Sequence, residues 1–352
     1  MNTPPPTPQY LVRSGDPLRD RDTVLSIWWG NLGREDRIAA KYDWFYLSGP
    51  HGAPLLQLLQ ETSSGQYVGT ACAGRRRLCR GSQALQGGVL VDLAVLPEHR
   101  SLGPALMLQQ GLIEAADREI DVLYGFPNPK AAPVFKRIGY THLTDLVRHA
   151  RVLRHAAYLK ARLPGVLAAI AGPLVDIAFA ARDGLRRLRR LRGPRLRASW
   201  GEAADSRIDA LWQSAPRGEA VMSVRDSKQA KWRFDDSPLA RTRYLWLTAP
   251  GSDALVAWFA VQVENTALHV RDFWSKDGGN GMSYACLLAL LSAARAAGHA
   301  SVSVEITGPE EQLRGWQQAG FVPRGKRPIF VRWSRGQVAA TQWFFTSADE
   351  DE

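Results

Sequence analysis

Residues Val89 to Leu106 change character partway along, and this change restricts the fold more than any other feature of the chain. Val89 to Leu96 is an apolar, β-branched run broken by one acid, Asp92, which suits a buried strand; from Leu102 onward the apolar spacing is that of a helix. Between them lies a turn, Arg100-x-x-Gly103-x-Ala105, with small residues where a backbone has to come close to something. A strand that ends in such a turn and resumes as a helix aims unpaired N–H groups and a positive dipole end at one point. That is an anion site suited to a pyrophosphate. Taken alone, the pattern also fits an ordinary strand-helix connection.

The residues beyond this helix narrow the choice. Asp121 to Phe126 reads as a second strand, succeeded by Pro127 and Asn128, a short helix from Ala131 to Ile138, and Gly139-Tyr140. Together these features resemble the GNAT superfamily of acyl-CoA-dependent N-acyltransferases, on Arg100, Gly103, Ala105, Asn128, Gly139 and Tyr140. The resemblance implies that the turn from Arg100 through Ser101, Leu102, Gly103 and Pro104 to Ala105 cradles the pyrophosphate of coenzyme A. It further implies that the backbone of Leu93, Ala94 and Val95 polarises the acyl carbonyl, that Asn128 joins the coenzyme site, and that acetyl-CoA or another acyl-CoA is the donor. One departure stands out: the tyrosine with which the family protonates the departing thiolate is Phe135 here. Its task would fall to water, Tyr124 or Tyr140.

The chain also repeats itself. Trp44 and Pro50 recur as Trp232 and Pro238, an offset of 188, and Phe135 to Tyr140 recurs as Trp316 to Phe321, an offset of 181. The fold class expected is therefore α/β (α+β), with two tandem GNAT-like domains, each a mixed, mostly antiparallel sheet flanked by helices. The boundaries are a flexible leader at 1–8, a domain with the acyl-CoA site at 9–153, an apolar and basic helical linker at 154–194, a degenerate copy at 195–346 and a solvated acidic tail at 347–352. The second copy has Lys276-Asp-Gly-Gly-Asn-Gly-Met-Ser-Tyr284 where the first has its turn. This loop is rich in glycine but lacks the family's spacing, so the second half is read as shaping an acceptor cleft; a second coenzyme site at Gly278 to Gly281 is the alternative.

The net charge of +11 is confined to one stretch, since Arg148 to Arg197 holds thirteen basic residues against two acids and the remainder is neutral. Within it, the apolar run Leu163 to Ala181 is interrupted by two prolines, and Leu185, Leu188 and Leu191 form a narrow stripe among arginines. An interfacial contact with an anionic membrane through 163–197 and a helical hairpin packed on the protein both fit. No aromatic interleaving supports a nucleic-acid arm. The Arg75-Arg-Arg77 cluster reads as solvated strand-edge arginines or as a phosphate contact. Three cysteines without metal-ligand or disulfide spacing point to a reducing, cytoplasmic setting, with possible attachment to the inner face of the membrane and no metal site.

Asp92 is the candidate general base, because it is the one carboxylate inside the apolar strand; an acid paired with a cation or capping a turn is the structural reading. Glu98 and His99 lie beside the turn as weaker candidates. The function expected is acyl transfer to an amine acceptor, a small molecule, sugar, peptide or cell-envelope precursor. A non-catalytic scaffold and a FemABX-like aminoacyl-tRNA-dependent transferase are the alternatives. Oligomeric state is not legible in the sequence.

Overall fold

The computed structural model describes residues 9–33, 35–129, 131–154, 196–334 and 341–350. The basic, apolar segment between the halves falls almost entirely outside the described residues, as do the leader and the last two acids. No helix among the described residues is long and apolar enough to cross a membrane.

The first half runs β1 (Tyr10–Gly15), α1 (Arg21–Trp28), α2 (Ile38–Tyr42), β2 (Leu55–Glu61), β3 (Tyr67–Arg80), β4 (Gln83–Val95), α3 (Leu102–Ala116), β5 (Val122–Gly125), α4 (Ala132–Arg137) and β6 (Thr141–Val152). The second repeats the plan as β7 (Arg197–Gly201), α5 (Arg207–Ser214), β8 (Val221–Ser223), α6 (Ser227–Ala230), β9 (Arg243–Thr248), β10 (Leu255–Glu264), β11 (Ala267–Ser275), α7 (Tyr284–Ala296), β12 (Ser301–Thr307), α8 (Glu310–Gln318), β13 (Val322–Trp333) and β14 (Trp343–Thr346). In both halves the helix before the Gly/Pro stop widens into a π-turn, Asp43–Leu47 and Lys231–Asp235. In α3, Leu108, Leu112, Ile113 and Ala116 form the buried stripe that seats the helix on the sheet.

All the strands among the described residues join one sheet, in the order β1-β2-β3-β4-β5-β13-β6-β12-β11-β10-β9-β7, with β8 and β14 off this path. In each half one parallel pair marks the splayed strand, β4 with β5 and β11 with β12. The halves exchange their last long strands: β13 of the second half lies beside β5 of the first, and β6 of the first lies beside β12 of the second. The sheets expected for two domains are therefore continuous.

A dyad relates the halves, and the repeat offsets become contacts across it. Val322 faces Ala150 and Val331 faces Thr141, so each residue of one strand meets its partner's counterpart. Asp145 and Lys326, 181 positions apart, form an ion pair of 2.7 Å. Trp44 and Trp232 stack with centroids 5.1 Å apart, and each indole N–H donates to the other's carbonyl, at 2.7 and 3.3 Å. The arginine cluster is not uniformly solvated. Arg76 is buried against the rings of Phe45 and Trp232, at 5.1 and 4.8 Å, because β3 runs under this aromatic seam. Arg75 and Arg77 pair with Glu119 and Asp226.

Candidate functional site

At the N-terminus of α3, Ser101 is extended (φ −144°, ψ 178°) and its side chain makes no capping bond. Ser101, Leu102 and Gly103 are exposed, so the first-turn N–H groups face outward, where a helix has no internal acceptors for them. Pro104, buried in that first turn, lacks an N–H but removes no intrahelical bond there. A Cβ added at Gly103 would meet nothing within 4 Å, which leaves room for a phosphate close to the backbone. Arg100 is positioned over the turn by donating from Nε to the Val95 carbonyl at 3.1 Å and from Nη2 to the side chain of Asn31. These residues fit the pyrophosphate cradle that the resemblance implies.

The adjoining edge of β4 is open too. Its parallel pairing with β5 covers Gly87 to Val89, and among the described residues no strand lies beyond that on this edge. Asp92 sits at a bulge against β3, between the Thr70–Ala94 and Cys72–Val91 pairs, with φ of +52°. This left-handed conformation is uncommon outside glycine, tolerated by Asp, and tends to cluster at functional sites. The bulge is pinned from β3: the Thr70 hydroxyl donates to the Asp92 carbonyl at 3.3 Å and accepts from the Trp28 indole at 3.2 Å. Leu93 is half-buried, and Ala94 and Val95 are buried.

The Asp92 carboxylate points into the protein. It accepts from Lys41 Nζ at 2.8 Å and from the Tyr46 hydroxyl at 3.1 Å, with side-chain exposures of 4% for Asp92 and 9% for Lys41. Burial, reinforced by the neighbouring carboxylate, holds the Tyr46 phenol far above its ordinary pKa, so it remains a donor. Lys41 and Tyr46, one helical turn of α2 and its π-turn apart, went unnoticed in the sequence. Their placement beside an acid more than 40 positions away depends on how α2 packs across the sheet.

Of the remaining sequence candidates, Glu98 is exposed, and His99 Nδ1 lies 3.0 Å from the Tyr10 hydroxyl. Asn128 closes the turn into α4, its side chain and carbonyl both accepting from the Ala131 N–H at 3.0 Å. Phe135 is buried between Tyr140 and Phe330, with centroids 5.1 and 5.9 Å away. The Tyr140 hydroxyl beside it is buried without a hydrogen-bond partner among the described residues, and burial raises its pKa. Tyr124 faces elsewhere, donating to the Asp349 carbonyl at 3.2 Å.

The corresponding region of the second half is filled by the chain itself. Ser283 caps α7, accepting from the Cys286 N–H at 3.4 Å. A Cβ at Gly279 would stand 2.5 Å from the Arg217 carbonyl oxygen, and one at Gly281 2.2 Å from that of Glu311. These glycines admit neighbouring backbone, so the loop is a packed turn. Beyond Val270, where β11 and β12 separate, β14 pairs with the end of β12. Thr346 donates to Asp272, the counterpart of Asp92, at 3.0 Å. Asp272 also binds Arg225 at 2.9 Å, and Arg225 reaches Asp349 at 3.3 Å. The acidic end, expected to be solvated, is thus buried through Glu350, with Asp349 3% exposed, because Arg225 and the Thr346 N–H require a carboxylate there.

No family model matches the sequence, and no curated protein does. Solved structures do match. A conserved protein from Enterococcus faecalis V583, described as a probable N-acyltransferase, superposes with a TM-score of 0.63 at 9% identity, covering 92% of this chain and 72% of that one. A GCN5-related N-acetyltransferase from Anabaena variabilis gives 0.62 at 10% identity, with 93% and 73% covered. One from Kribbella flavida gives 0.56 at 14% identity, with 92% and 71% covered. At these identities the likeness concerns the backbone alone, and it spans both halves: the chain has the fold of the GCN5-related N-acetyltransferases, present in two copies that share one sheet.

Proposed function

We propose that this protein is an acyl-CoA-dependent N-acyltransferase, with acetyl-CoA the expected donor and its donor site in the first half. The observation that carries this reading is the inequality of the two copies. The helix N-terminus after β4 is uncapped, exposed and next to Arg100, whereas its counterpart is capped by Ser283 and the cleft beside it is filled by β14. The coenzyme would supply an acyl thioester; transfer forms a C–N bond to the acceptor amine, breaks the C–S bond and releases a proton from the amine.

The chain's own contributions come from its geometry. In this reading the N–H groups at Leu102 and Gly103, with Arg100, hold the pyrophosphate, and the backbone of Leu93 to Val95, on the open edge of β4, polarises the acyl carbonyl. Asp92 is the acid nearest the bulge, and Lys41 and Tyr46 fix its orientation. With Phe135 in place of the family's tyrosine and the Tyr140 and Tyr124 side chains buried, protonation of the leaving sulfur falls to water. The burial of Phe135 favours one other reading, a binding protein that keeps the fold without the chemistry. Mass-spectrometric detection of acylated amine from an acyl-CoA panel separates the two.

The coenzyme site is tested with Gly103→Glu. The new side chain meets open space, so folding is retained, while its carboxylate occupies and repels the phosphate position. Calorimetry is expected to show coenzyme A binding by the wild type and not by the variant; equal affinities would remove the assignment.

A further inference from the structure

The guanidinium of Arg100 is held over the coenzyme turn by a residue from a different element, Asn31, which lies three positions beyond the end of α1. Arg100 donates from Nη2 to the side-chain oxygen of Asn31 and from Nε to the Val95 carbonyl at 3.1 Å. Asn31 in turn donates from Nδ2 to the Ile27 carbonyl at 2.5 Å, one of those that a helix end leaves without an intrahelical donor. These two contacts fix which way round the amide lies, because a carbonyl requires its NH₂ group and a guanidinium requires its oxygen. The helix that carries Asn31 is anchored as well: Val24, Ile27 and Trp28 are buried, and the Trp28 indole donates to Thr70 at 3.2 Å. Arg100 is exposed and forms no ion pair among the described residues. Both of its acceptors are neutral, and a neutral oxygen orients a guanidinium without cancelling its charge.

The second half makes the equivalent connection differently. Arg217 lies three positions beyond α5, as Asn31 does beyond α1. There the chain meets the glycine loop backbone to backbone: the Gly279 N–H donates to the Pro216 carbonyl at 2.6 Å, and a Cβ at Gly279 would stand 2.5 Å from the Arg217 carbonyl oxygen. In the first half the link runs through the side chains of Asn31 and Arg100. A Cβ added at Gly30 or at Gly103 would meet nothing within 4 Å, so the backbone on both sides of that link stays open.

We infer that Asn31 is a positioning residue for the donor, holding Arg100 ordered and fully charged for the diphosphate of coenzyme A. The identity of the diphosphate rests on the acyl-transfer reading; the hold on Arg100 does not. A long side chain that is ordered before binding loses little freedom when the ligand arrives, and forfeiting that order lowers affinity by roughly 2- to 10-fold. Asparagine meets both demands of the position. Aspartate would set an oxygen against the Ile27 carbonyl and cancel the charge of Arg100, and alanine would reach neither partner.

The test titrates coenzyme A, and dephospho-coenzyme A lacking the ribose phosphate, by calorimetry into the full chain as wild type, Asn31→Ala, Arg100→Met and the double variant. Alanine at this position leaves the buried face of α1 intact, and thermal melting confirms that each variant folds. Asn31→Ala is expected to weaken both ligands by roughly 3- to 10-fold. In the Arg100→Met background it should have no further effect, since a residue that acts through another is silent once the other is gone. Additive losses would overturn the proposal and leave Asn31 a helix cap. A loss confined to coenzyme A would also overturn it, by placing the contact at the ribose phosphate. Asn31→Asp, which brings a carboxylate to Arg100, should weaken binding more than Asn31→Ala does; a folded aspartate variant that binds as tightly as the wild type would sink the argument from charge. Inorganic pyrophosphate, titrated into the same proteins, separates this inference from the reading beneath it. The same dependence with pyrophosphate and no binding of coenzyme A would remove the donor and leave Asn31 in its role, whereas a wild type that binds neither would overturn both.

Discussion

Replacing Asp92 by Asn distinguishes the two roles this residue combines. Asn retains the left-handed backbone at φ +52° and can still accept from Tyr46, so the change removes a charge and little else. What remains is the Lys41 ammonium, in a side chain 9% exposed that has lost a carboxylate 2.8 Å away. Breaking a buried pair by removing one partner costs about 3–5 kcal/mol, because the surviving charge loses its carboxylate in a poorly solvated site. The single variant should therefore lose that much stability in urea denaturation. Adding Lys41→Met removes that charge at similar length, and the double variant should regain most of the loss. Turnover responds differently. If Asp92 is the base, both variants lose roughly 10²- to 10⁴-fold in kcat with coenzyme affinity nearly unchanged, and the stability regained in the double variant brings back no activity. A loss below about 1 kcal/mol in Asp92→Asn would refute the argument from burial. Full turnover in the folded double variant would retire Asp92 as the base.

Three further outcomes are expected. Residues 9–153 and 196–350 expressed separately should each fail to give a monomeric folded species by size exclusion and circular dichroism, because each lacks the strand the other lends it; co-expression should yield a stoichiometric complex, and two independently stable halves would contradict the strand exchange. Asp349→Ala should destabilise the second half by about 1–3 kcal/mol, since the buried Thr346 N–H loses its acceptor while Arg225 keeps Asp272, and an unchanged denaturation midpoint would count against this network. His149, buried on β6, has its pKa lowered by burial, so as pH falls the unfolded chain takes up the proton first. Stability is then complete above the ordinary imidazole value of about 6.5 and declines as pH drops from there toward the folded-state value; His149→Gln should flatten that decline between about pH 7 and 5 in denaturation midpoints.

The elements themselves were legible in the sequence because their causes are local. The switch from β-branched run to helical spacing after Leu96 located β4 and α3, and the small residues of the turn fall in and beside the exposed first turn of α3. The offsets of 188 and 181 revealed the duplication, since residues with the same task in two copies keep similar side chains. What the pattern could not contain was the relation between the copies. Two similar halves offer similar strand edges, and whether β6 completes its own sheet or its neighbour's is settled by the global fit, here in favour of exchange. The pairing of Lys41 and Tyr46 with Asp92, the hold of Asn31 on Arg100, and the folding of Thr346 to Glu350 into the second cleft also join residues far apart in the chain. A charge read along the sequence looks solvated until its partner is known. Arg225, a single arginine in a polar stretch, buries an acidic chain end, and only the tertiary structure could place the two together.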